Sequence, residues 1–153
     1  MLNSKAADSI SKEEWAAYEP HQWLMEGLPT YIAKQVSQKN NLPIFDPLTN
    51  RILGDIDSSC KENLKNERSE YILSFIGRNA AMPELSGKDR KLYAPAFYNC
   101  SCSFVKYMVE EVGIEALLKS ISKRPRENEE LQKLKTPSLE DMKKAWIQKL
   151  QNE

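Results

Sequence analysis

A mostly apolar segment, Pro20-His21-Gln22-Trp23-Leu24-Met25-Glu26-Gly27-Leu28-Pro29-Thr30-Tyr31-Ile32-Ala33, carries one acidic side chain in its middle. That combination constrains the fold more than any other feature. Leu24, Leu28, Tyr31, Ile32, Gln35 and Val36 recur at helical spacing, which predicts a helix from about His21 to Ser37. A Glu flanked by Trp, Leu, Met and Leu is then at least partly withdrawn from water. A buried carboxylate is stable only when it is paired, hydrogen-bonded or bound to a metal. Pro29 adds a second constraint, because it cannot donate to the carbonyl of Met25 and crowds it. A kink or a fresh helix start is expected just after Glu26.

The remaining segments have the same period. A cap at Ser11 with Glu14 three places on opens a short helix that ends before Pro20, with Trp15 and Tyr18 facing inward. Gln38 to Gly54 is dense in turn formers, and its Leu42, Ile44, Phe45, Leu48, Ile52 and Leu53 suggest a loop packed down on the core. Asp57-Ser58-Ser59 reads as the cap of a helix reaching about Asn66. Ser69 to Ile76 forms another helix, ended by Gly77. After a loop from Asn79 to Lys91, the longest helix is expected from Pro95 to Val112, with Gly113 as its C-terminal cap. Ile114, Leu117, Leu118 and Ile121 predict the buried stripe of a shorter helix. A charged connector from Arg124 to Lys135 leads to a final helix capped by Ser138, whose Leu139, Met142, Trp146 and Leu150 face inward. No run of alternating β-branched residues exists. The expected fold is all-α: one domain over residues 1–153, a compact bundle of about six helices, with residues 1–10 irregular.

Composition removes several function classes. Twenty-two basic residues balance twenty-two acidic ones, so no net field attracts nucleic acid or an anionic membrane. No apolar run approaches the roughly 20 residues that span a bilayer. The polar start, with Asn3, Ser4, Lys5 and Asp8, does not resemble an export signal. Cys60, Cys100 and Cys102 are too few and too oddly spaced for a disulfide framework, which points to packing roles and a reducing cytoplasm. Asp55 and Asp57 lack the Gly and the bidentate Glu of a calcium loop, so capping is the expected role.

The wording Trp23-Leu24-x-Glu26-Gly27-Leu28-x-x-Tyr31 resembles the segment of gluzincin (peptidase MA-like) zinc metallopeptidases in which Glu is the third zinc ligand, with Pro29 where those families usually have Ala. Tyr98-x-x-Ser101-x-x-Phe104-Val105-x-Tyr107-Met108 before Gly113 resembles the downstream helix of the same families. The likeness covers about Pro20 to Leu150 and implies the C-terminal helical subdomain. It implies Glu26 as the third-ligand position and Tyr98 as a hydrogen-bond donor to the oxyanion of a tetrahedral intermediate.

The other half of such a site is missing. The families' HExxH lies roughly 20 residues before the Glu, and the corresponding Asn3-Ser4-Lys5-Ala6-Ala7 has no His. The one histidine, His21, lies five residues before Glu26, about 140° around a helix, and so on another face. The expectation is a non-catalytic or truncated C-terminal part of a gluzincin. Zinc is the parent family's metal and none is expected in this chain; Glu26 is a vestigial ligand position. Its partner would be a peptide or protein, or an upstream HExxH-containing segment. The rival reading is a small metal-free helical module that binds a peptide or protein beside Glu26.

Overall fold

A computed structural model describes residues 22–43, 54–65, 69–77, 87–122 and 139–152, excepting the side chains of 119–122 and 139. Among the described residues there are six α-helices and no strand: α1 (Gln22–Lys39), α2 (Ile56–Leu64), α3 (Ser69–Phe75), α4 (Gly87–Val112), α5 (Ile114–Ser122) and α6 (Leu139–Asn152). The expected short helix before Pro20, His21, most of the loop ahead of Gly54 and the charged connector lie outside the described residues.

Helix α4 is the spine. Its two most extensive interfaces are with α1 and α2, and one hydrophobic core draws on all six helices. Trp23 of α1, Phe104 of α4 and Trp146 of α6 form an aromatic run, with ring centroids 5.0 Å apart for the first pair and 5.1 Å for the second. Each pair is tilted, an arrangement the ring quadrupoles favour over face-to-face stacking. Leu28, Met108, Leu117 and Leu150 close around the run.

Several boundaries differ from expectation for identifiable reasons. Pro29 lies inside a continuous α1. The adjacent Thr30 hydroxyl donates to the Glu26 carbonyl over 3.0 Å. Pro95 likewise lies inside α4, which begins at Gly87, eight residues before the expected start at Pro95. In both cases the residue four places back, Met25 or Lys91, lies on an exposed part of the helix, where water can reach a carbonyl that loses its amide donor. The cap of α2 is Asp55, which accepts from the Ser58 amide at 2.9 Å, and not Asp57-Ser58-Ser59. Asp57 is thereby free for another task.

Helix ends follow glycine and asparagine chemistry. Asn41, at φ 53°, lets the Leu42 amide reach back to the Ser37 carbonyl at 2.9 Å while the Asn41 amide reaches Gln38 at 3.3 Å, which together close α1 with a Schellman turn. Gly113, at φ 85°, ends α4 as expected. Leu42 is exposed, as are Ile114 and Leu118 in α5, so these three do not join the core assigned to them. Among the described side chains of α5, Leu117 alone is buried.

The cysteine reading requires the largest correction. Cys60 of α2 and Cys100 of α4 form a disulfide across 40 residues of sequence, with Cα atoms 4.7 Å apart. Cys102 is free and buried. Cysteine count and spacing cannot reveal such a pair, because helix packing alone brings the two positions together.

Candidate functional site

Two regions of α4 carry polar chemistry. At the first, α1 crosses α4 with almost no space between the backbones. A Cβ built on Gly27 would lie 2.5 Å from the Ser101 carbonyl oxygen and 2.9 Å from Val105 Cγ2, so only glycine permits the approach. Ser101 contributes by being small, and its buried hydroxyl has no hydrogen-bond partner among the described residues.

One turn of α4 before this crossing, the Tyr98 phenol lies beside the Glu26 carboxylate, close enough for the carboxylate to act on its titration. Burial raises the Tyr98 pKa above its ordinary value; the charge of Glu26 and a hydrogen bond to it raise it further, and Arg90 opposes them. Both side chains are half-buried. The phenol therefore holds its proton more tightly than a free tyrosine does. The structure thus brings together the two residues singled out from separate motifs.

Among the described residues, no three His, Cys, Asp or Glu side chains are grouped so that they could hold a metal ion.

The second region joins α2, α4 and α6 and was not foreseen from the sequence. Asp57 Oδ1 accepts from the Ser103 hydroxyl at 2.6 Å, and Ser103 Oγ accepts from Trp146 Nε1 at 2.9 Å. The other oxygen of Asp57 pairs with Lys106. Burial alone would push Lys106 down, but the hydrogen bond and charge of Asp57 outweigh it and leave the pKa above the usual lysine value. Beside this chain is an open recess of about 200 Å³, bordered by Tyr107, Glu110, Lys149 and Leu150. That volume includes open solvent, and the enclosed space is about 10 Å³, room for about one water molecule. Lys149 bonds to Glu110 at 2.8 Å, so the region's charges are paired. The arrangement is a polar joint that orients Trp146. A Ser-x-x-Lys spacing on α4 hints at a shared acceptor, but nothing in the sequence names Asp57 as that acceptor.

Two buried lysines complete the polar interior. Lys34 donates to the Gly54 carbonyl, and burial lowers its pKa despite the opposing charge of Asp55. Lys143 donates to the Leu73 carbonyl at 2.9 Å and so ties α6 to the last turn of α3. No described helix is long and apolar enough to cross a membrane. Comparison with known protein families, curated proteins and solved structures finds no match.

Proposed function

We propose that the chain is the helical, C-terminal part of a gluzincin-like metallopeptidase domain. It retains the helix of the third-ligand Glu and the downstream Tyr helix, lacks the HExxH helix, and does not hydrolyse peptides alone. The observation that supports this reading is the meeting of Glu26 and Tyr98, drawn from separate family-like motifs to lie side by side. Gly27 against Ser101 adds to it, since both belong to the same two motifs. In this reading Glu26 is a vestigial ligand position whose charge is now satisfied by Tyr98. The oxyanion role of Tyr98 belongs to the parent family, as does zinc.

The test is metal content and peptide hydrolysis of the dialysed chain beside its Glu26→Gln variant. The expected result is sub-stoichiometric zinc and no cleavage in either protein. One tightly held zinc per chain that disappears in Glu26→Gln would overturn the reading.

A second reading, a metal-free module that binds a peptide or protein, is favoured by one specific observation. Met25, Pro29, Ile32 and Val36 are all exposed and recur every three or four residues, forming one stripe along α1. The two readings separate on the DNA upstream of this reading frame. An in-frame segment encoding HExxH supports the peptidase ancestry, and its absence together with a co-purifying partner supports the module.

A further inference from the structure

The Cys60–Cys100 disulfide lies where no reagent can reach it. Both residues are 0% exposed. They sit in the interface between α2 and α4, with Ile72, Ile76, Phe97 and Phe104 in the same core. Thiol–disulfide exchange requires in-line approach of a third sulfur, which this packing denies in the closed fold. The bond can therefore form or break only when the helices open.

We infer that the redox state of this chain is set during folding: the Cys60–Cys100 bond closes before α2 docks on α4, in an oxidising environment, and docking then seals it. The step is an exchange with a disulfide oxidant of the protein or glutathione class. The thiolate of one cysteine attacks the oxidant's disulfide and releases one thiol. The second cysteine's thiolate then displaces the other, so that two thiols lose two protons and two electrons and the oxidant becomes two thiols. Cys102, two residues from Cys100 on the same helix, is the thiol best placed to scramble the pair. Once the helices have closed, it lies on nearly the opposite side of α4 and is buried, and burial pushes its pKa up to about 12, so it cannot exchange with the sealed bond.

The experiment refolds the denatured, reduced full chain in a glutathione redox buffer and maps cysteines by alkylation and mass spectrometry. The expected product has Cys60 linked to Cys100 and one alkylatable thiol, Cys102, which reacts only after denaturation. Dithiothreitol should reduce the native bond about a hundredfold or more slowly than the bond in denaturant, as expected for a group exposed only by helix opening. Native chain folded under reducing conditions should resist oxidised glutathione equally. A Cys102→Ser variant should show the same pairing and the same protection. Refolded chain with Cys60 and Cys100 both alkylatable, a bond from Cys102 to either, or native reduction as fast as in denaturant would each overturn the inference.

Discussion

Helix α4 is joined to its neighbours in two different ways, and the contrast shows where the chain tolerates change. At the α1 crossing the joint is steric. Gly27 lies against the Ser101 backbone, Glu26 and Tyr98 lie alongside, and Ser101 has a buried hydroxyl with no partner among the described residues. At the α6 side the joint is polar, and each group in it is bonded: Trp146 to Ser103, Ser103 to Asp57, Asp57 to Lys106. The first depends on shape and accepts an orphaned polar atom as its cost. The second depends on hydrogen bonds, and its contact areas leave a recess open beside it.

The largest effect is expected at Trp146, which both fills the core and closes the polar joint. Trp146 is 1% exposed, packs on Phe104 and donates to Ser103. Trp146→Ala should cost about 3 to 5 kcal/mol in chemical unfolding; a loss below about 1 kcal/mol would show that α6 is not docked.

Gly27→Ala tests the steric joint alone. In an exposed helix this change would add up to about 1 kcal/mol of stability. Here the new methyl meets backbone atoms at 2.5 and 2.6 Å that cannot rotate away. A loss of about 3 kcal/mol is expected by the same unfolding measurement.

How much of this was legible in the sequence depends on range. Features decided within a turn or two were readable: the span of α1, the glycine ends at Gly77 and Gly113, and the inward face Met142, Trp146 and Leu150. The meeting of Glu26 and Tyr98 was legible only because two motifs were read as parts of one pattern. Asp57 was mistaken for the cap because Asp55 offers a carboxylate at a competing register two residues earlier. The disulfide and the Asp57–Ser103–Trp146 chain each span 40 residues or more of sequence, and only the packing of α2, α4 and α6 defines them. The local rules for proline predict a kink or fresh start at Pro29 and a helix start at Pro95, yet both lie inside continuous helices whose exposed turns tolerate the lost hydrogen bond.

Two serines two residues apart on α4 sharpen the comparison. Ser103→Ala removes the acceptor of Trp146 Nε1 and a donor to Asp57 and should cost about 1 to 3 kcal/mol. Ser101→Ala deletes an unsatisfied buried hydroxyl and should be neutral or stabilising by up to about 1 kcal/mol. Equal losses for the two, measured side by side by urea unfolding, would mean that the two joints do not differ in kind.

The central claim is that the two family-like helices are held so that Glu26 and Tyr98 face each other. The most direct measurement is the titration of Tyr98 followed by NMR of its labelled ring carbon, assigned with Tyr98→Phe and repeated in Glu26→Gln. The account predicts that Tyr98 titrates above the ordinary tyrosine value of 10.0, and that removing the Glu26 charge moves it down, leaving burial opposed by the charge of Arg90. An identical Tyr98 titration in the two proteins would contradict it, because the carboxylate and the phenol would then not be neighbours and the likeness of the two motifs would be coincidence.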